Sequence, residues 1–370
     1  MKRLFPATTA AVLLLPCTSA VALPSGSGED LAAVRHNSAL LAMDEISGTD
    51  IWAVGYKGPE GGGDRTSYTR HWDGTSWKTV DSPYVFGGYL TSVTAIASDD
   101  VWAVGSSGYE QSNLAEHWDG TAWTVFDVPN HAAAFNSLTS VGFVSPHQVL
   151  AVGGWYSGGG DESGAVRFLW NGRKWTEAPA VFDGIYRIDA LSPTDAWAVG
   201  TTPEHMTLAK HWDGTRWRTV ETPKILGGAS LTRVTALSST DVWAAGQQAM
   251  QPYDSFLEHW DGSQWSVVED AVDGDFTQIT DISGSADDDV WVSGHTYVDG
   301  FLEHWDGTAW SEVPSPGGDR TEAELNGVAA SSPTDAWSVG DWSKCSGGHY
   351  CYTKRIIQHW EGTRWSIYSR

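Results

Sequence analysis

Cysteine is scarce, three residues in 370, so the chain has material for one or at most a few cross-links. Basic residues are also few: 22 Lys and Arg stand against 46 Asp and Glu, a net charge of −24. A surface that acidic repels nucleic acid and anionic membrane, so neither is an expected partner. Beyond the first residues no apolar run is long enough to span a bilayer, and membrane insertion is not expected. Catalytic signatures are missing as well. There is no Gly-x-Ser-x-Gly elbow, no His-Glu-x-x-His zinc helix, no spaced Asp-box and no clustered arginines for gripping an anion. The expectation is a protein that is not an enzyme and needs no cofactor. The one acid pair worth weighing for glycosidic chemistry is Asp161 with Asp341, and the sequence alone does not pair them.

What the chain does have at its start is a leader. Lys2 and Arg3 are followed by an apolar run from Ala10 to Leu15 and by Ala20-Val21-Ala22, the small-x-small form of a cleavage site. Residues 1–22 are therefore expected to be a signal peptide, 23–37 a linker, and the mature protein secreted and extracellular. Cys17 lies in a lipobox-like setting, but Pro16 stands where Gly or Ala is wanted. Losing Lys2 and Arg3 takes the net charge from −24 to −26. Cys345 and Cys351 then remain, and two close cysteines in an oxidising compartment read as one disulfide. His349 between them would give a third metal ligand, but no fourth is evident.

Tryptophan and glycine are abundant, 22 and 41 residues, and most tryptophans fall in a repeat. Asp-Val-Trp-Ala-Val-Gly at 100–105 recurs at 50–55, 195–200, 241–246, 289–294 and 335–340 with small changes. A seventh copy, 148–153, has Gln148 for Asp and Leu150 for Trp. Downstream of each comes His-Trp-Asp-Gly-x-x-Trp, as in His117–Trp123. Blade three degrades it to Leu169-Trp170-Asn171-Gly172-x-x-Trp175. Each unit of 46–50 residues parses into four strands. In blade two an alternating segment, Leu90–Ala97, precedes an apolar run, Val101–Gly105, then Leu114–Trp118, an Asp-Gly turn, and Trp123–Val128. A four-stranded sheet cannot bury both faces alone, whereas seven arranged radially can. The fold class is all-β: a seven-bladed β-propeller over 38–370 with four antiparallel strands per blade. Repeated His and Asp, such as His117 and Asp100, read as scaffold that satisfies turn backbone or indole N–H groups.

The strand order and the Trp-Asp that ends the third strand are similar to the WD40 layout, without its Gly-His dipeptide. More closely, Trp-Ala-Val-Gly followed by His-Trp-Asp-Gly-Thr-x-Trp resembles the tryptophan-rich secreted propellers of actinobacteria. That resemblance implies the fold. It also admits membership among the lectin tips of umbrella-shaped antibacterial toxin particles, which dock on an adaptor protein and bind cell surfaces.

Lettering the strands of a blade A to D from the axis outward, the A–B and C–D turns are short and uniform. The B–C and D–A connections vary, so the face that carries them is the expected binding face. Its aromatics and short polar residues are Tyr56, Tyr109, Trp155, Tyr156, Asp161, Tyr253, Tyr297, Asp341, Trp342 and Tyr350. Trp155 and Trp342 are the two tryptophans outside the repeat, each two residues past the strand B glycine, and both are predicted to be exposed on this face. Aromatic rings stack on sugar C–H patches while Asp, Asn and Gln meet the hydroxyls, so the expected ligand is a surface glycan. A partner protein of an extracellular complex is the alternative, since Tyr and Trp also dominate protein interfaces.

Overall fold

The computed structural model describes residues 36–368 apart from 60–63, 109–110, 132–133, 146–147, 159–161, 251–253, 269–276, 298, 318–322 and 347–349, and gives no side chains at 36, 134, 344–346 and 350–352. The expected leader lies outside the described residues. Strand A of the first blade begins at His36 among the described residues.

Seven four-stranded antiparallel sheets follow one another along the chain, each built from four consecutive strands. Blade one runs from strand A (His36–Ser47) through Asp50–Pro59 and Thr66–Trp72 to Trp77–Val80, and blade seven from Ala323–Ser332 to Trp365–Ile367. Among the described residues no blade borrows a strand from the other end. In blade two the strands are Tyr89–Ala97, Asp100–Ser107, Ser112–Trp118 and Trp123–Phe126, with B and C reaching two pairs beyond the expected glycine limit, to Ser106↔Asn113 and Ser107↔Ser112.

Strand B explains the packing. Its side chains alternate across the sheet, so Trp102 and Val104 pack forward on Val141 and Trp175 of blade three. Val101 and Ala103 pack back on Trp52 and Val54 of blade one. Both faces are buried, which is why the motif reads as a continuous apolar run. The motif glycine has its own reason. Strand A carries a bulge between Leu90 and Ser92, and this brings the Tyr89 carbonyl close to Gly105. A Cβ there would fall 2.0 Å from that oxygen.

The tryptophans form the joints between blades. Trp52 lies 5.1 Å from Trp118 and 5.2 Å, edge-on, from Trp123, both in the next blade. The pattern recurs at every joint but one, including the joint from blade seven back to blade one, where Trp337 meets Trp72 and Trp77. The exception lies between blades three and four. There Leu150 replaces the indole, and the 3-10 turn Ala180–Phe182 delivers Phe182 edge-on to Trp217 at 5.6 Å.

The repeated His and Asp are scaffold; the expected indole partner is seen in blade six, where Asp289 accepts from the Trp291 indole N–H at 3.1 Å, but the recurring partners are others. They bond each other: His117 Nε2 to Asp100 Oδ1 at 2.8 Å, and likewise His71–Asp50, His211–Asp195, His259–Asp241, His304–Asp289 and His359–Asp335. The reason is that each imidazole stacks on its own blade's strand B indole, Trp102–His117 at 4.4 Å, which aims its Nε2 at the Asp. The indole N–H of the strand C tryptophan donates instead to the A–B turn carbonyl, as Trp118 does to Ser98 at 3.1 Å. Turn backbone is held by another Asp, the one after that tryptophan. Asp119 Oδ1 accepts from the Thr121 hydroxyl at 2.6 Å and from Ala122 N and Thr121 N, both at 2.9 Å, and these bonds hold its carboxyl down at about 2.

Strands A line the axis, and polar side chains tie them together there. Asp44 accepts from Ala95 N and Asp189 from Ala236 N, each at 2.8 Å and each in the next blade. Arg187 of blade four reaches Ser92 of blade two at 3.3 Å and lies 3.8 Å from Asp281 of blade six. Burial pushes the Asp44 carboxyl up to about 7 and the Arg233 guanidinium down to about 10.

Candidate functional site

Antiparallel order puts the A–B and C–D turns at one end of every blade and the B–C and D–A connections at the other. The large apolar side chains left exposed are distributed very unequally between the two ends. Tyr84, Phe86, Tyr156, Val181, Tyr186, Leu226, Met250 and Tyr297 all lie at the B–C/D–A end, and the remaining two, Val125 and Val267, sit on outer strands. None among the described residues lies at the turn end.

Local sequence explains part of this display. Pro83-Tyr84-Val85-Phe86-Gly87-Gly88 and Pro223-Lys224-Ile225-Leu226-Gly227-Gly228 are the same D–A connection in blades one and four. The first apolar residue, Val85 or Ile225, packs inward, and the second, Phe86 or Leu226, is left outside. Gly87 at φ +66° and Gly227 at φ +88° make the reversal, a backbone region that costs glycine little. Leu226 is 95% exposed and the Met250 side chain lies beside this turn, within 3.3 Å of where a Gly227 Cβ would stand.

At blades two and three the described residues include two of the expected ones, Trp155 and Tyr156. Trp155 and Tyr156 lie at the end of strand B (Gln148–Ser157). Trp155 is half-buried, not open as expected, because the His131 ring stacks flat on it with centroids 3.8 Å apart and planes 2° apart. Tyr156 is exposed, stacks on Phe135 at 4.9 Å, and donates its hydroxyl to Gln111 Oε1 at 3.0 Å. Asp161 and Tyr109 lie outside the described residues, as does Tyr253 of blade five. Tyr297 in blade six is 89% exposed.

A second group spans blades seven and one. Asp341 and Trp342 belong to strand B (Asp335–Ser346), and Tyr56 to strand B of blade one. Asp341 is buried, faces Glu324 in register, and accepts from Asn326 Nδ2 at 3.0 Å; the same amide donates to Leu40 O at 3.1 Å. Burial, and then the Glu324 charge, push its carboxyl up to about 7. Tyr56 is half-buried, with the Arg65 guanidinium 4.3 Å from its ring centre, and burial raises its phenol above the ordinary range. Trp342 is half-buried against the blade six–seven core, with the Lys354 ammonium 5.9 Å from its ring. It is therefore not the open ring the sequence suggested. Tyr68 is a core residue of strand C in blade one, its hydroxyl accepting from Arg70 at 3.1 Å. Cys345 and Cys351 stand directly opposite in the strand B–C hairpin of blade seven, and Tyr350 opposite Ser346. The side chains of these three lie outside what is described.

No protein-family model matches the chain, and no curated protein does. Solved structures do. A GH74 xyloglucanase from Xanthomonas campestris superposes with a TM-score of 0.56 at 11% identity, over 90% of this chain and 55% of that one. This chain thus spans about half of that enzyme. A structure of YCF48 bound to D1 peptide gives 0.50 at 13% identity, over 83% and 92%. A fucose-specific lectin from Aleuria aurantia gives 0.46 at 15% identity, over 74% and 94%. At such identities likeness carries the fold alone. The protein is a tryptophan-rich, seven-bladed β-propeller.

Sequence reasoning missed Leu226 and Met250, although the twice-used Pro-x-apolar-apolar-Gly-Gly turn is a legible signal. It also missed His131 and Gln111, which come from connections distant in sequence from the rings they hold.

Proposed function

We propose that this propeller is a secreted, non-catalytic binding module whose B–C/D–A face recognises a cell-surface or extracellular glycan. The observation that carries the reading is the one-sided display of exposed rings and apolar side chains. Tyr156 and Tyr297 offer faces for sugar C–H groups. Gln111, beside Tyr156, offers an amide partner for hydroxyls. Hydrogen-bonding groups beside exposed rings suit a ligand that is apolar on its faces and polar at its edges.

A glycan array probed with the purified protein tests this, followed by competition with the free sugar. Saturable binding that the sugar displaces is the expected result. Binding to no glycan removes the reading.

One observation favours a second reading, docking of a protein as a subunit of an extracellular complex such as a toxin particle. Leu226 and Met250 form an exposed apolar knob that no sugar hydroxyl would use, whereas a protein partner would bury it. Under this reading Leu226→Asp abolishes capture by the partner, and free sugar does not compete.

A further inference from the structure

The joint between blades three and four, the one built without a strand B indole, also holds a pocket. Leu150 and Val152 of strand B face this joint, and so does Arg167, which stands opposite Val152 on strand C. A cavity of about 230 Å³ opens there.

Its walls are Val152 on one side and Phe182 and Ile185 on the other, with the exposed Tyr186 at the mouth on the variable-loop face. Arg167 also lines it. One end of that guanidinium pairs with Asp183 at 2.5 Å, while its buried Nε–H has no hydrogen-bond partner among the described residues. A buried donor without an acceptor is costly, about 1–3 kcal/mol in general, and marks where an acceptor would be welcome. Because Asp183 already balances the charge, that acceptor should be neutral.

We propose that this pocket binds the aromatic ring of a small phenol-class molecule, whose oxygen accepts from Arg167 Nε–H. The size decides for a ring: an apolar cavity of about 150 Å³ holds benzene, so this one admits a ring with substituents. It lies below the roughly 300 Å³ at which drug-sized ligands begin. The chemistry decides against a sugar, because apolar walls would leave most hydroxyls without partners. The site is therefore separate from the glycan reading and stands or falls without it.

Calorimetric titration of the purified protein with p-cresol, toluene and α-methyl glucoside tests the proposal. The expected result is saturable binding of p-cresol at millimolar affinity or tighter, toluene several-fold weaker for want of the oxygen, and no displacement of p-cresol by the glucoside. Val152→Phe, which puts a ring into the cavity from its own wall, should weaken p-cresol at least ~10-fold by filling the space. If that variant fails to fold, Val152→Leu should weaken binding by ~3-fold. No saturable binding of p-cresol overturns the proposal. So does wild-type affinity in a folded Val152→Phe variant, or displacement of p-cresol by the glucoside.

Discussion

Trp337 in the last blade packs on Trp72 in the first, ring centroids 4.6 Å apart, in the arrangement that joins Trp102 to Trp170 at 4.9 Å in mid-chain. Ring closure thus uses the same contact as propagation. Trp337→Ala and Trp102→Ala should each cost about 3–5 kcal/mol, as loss of a buried aromatic does, and unfold the ring in one transition. Urea denaturation checks this. A loss below about 1 kcal/mol at Trp337 alone would mean that the closing joint bears no load.

Glu258 offers a pH test. It is fully buried in strand C of blade five, neither carboxylate oxygen has a hydrogen-bond partner among the described residues, and burial pushes its carboxyl up to about 8. A raised acid pKa means the folded state holds a proton that the unfolded state has released. Stability is therefore greatest below about pH 4 for this group and falls as pH rises towards 8, by up to about 1.4 kcal/mol per pH unit. Glu258→Gln should flatten that slope and raise Tm at pH 8. Blade seven shows that the amide fits, since Gln358 occupies the equivalent position and accepts from Gly317 N at 3.1 Å. Melting curves from pH 5 to 8.5 with an unchanged slope would exclude Glu258 as its source.

How much of this was legible in the sequence follows from the distances involved. The seven blades, their strand order and the scaffold role of the repeated His were readable, because each rests on a periodic pattern within about 50 residues. The His117–Asp100 bond was not, since periodicity marks both as repeated but does not say that they face each other. Nor was the half-burial of Trp155. Its cover, His131, lies on the preceding D–A connection, and loop stacking follows no period. Arg187 was passed over because one arginine in a strand A has no counterpart to mark it except Arg233 in the next blade.

The binding face makes the third prediction. Tyr297→Ala and Tyr156→Ala should each weaken ligand binding by about 1–3 kcal/mol, the range of an aromatic hot spot, and leave Tm nearly unchanged. Trp155→Ala should weaken binding similarly but also lower Tm slightly, because it uncovers His131. Affinity measurements beside melting curves separate the two. Normal binding in all three variants would move the site elsewhere.

Blade seven supplies the fourth. Directly opposed cysteines on antiparallel strands have Cα atoms about 4.5–5.5 Å apart, within bridging range. Protein exported into an oxidising compartment is expected to carry a Cys345–Cys351 disulfide. Mass spectrometry after alkylation, with and without reductant, reads it directly. Two alkylated thiols without reductant would refute it.

Each joint in the ring is head-to-tail: at all but the blade three–four joint, the strand B indole of one blade meets the strand C and D indoles of the next. Contacts of this kind are heterologous, and at a fixed rotation per copy they close on themselves. The covalent D–A links then only fix the order of parts that already fit. A single idealised blade, released as a free chain, would carry the instructions for a cyclic homo-oligomer of seven. A ring nicked at one link would present two half-joints that match each other.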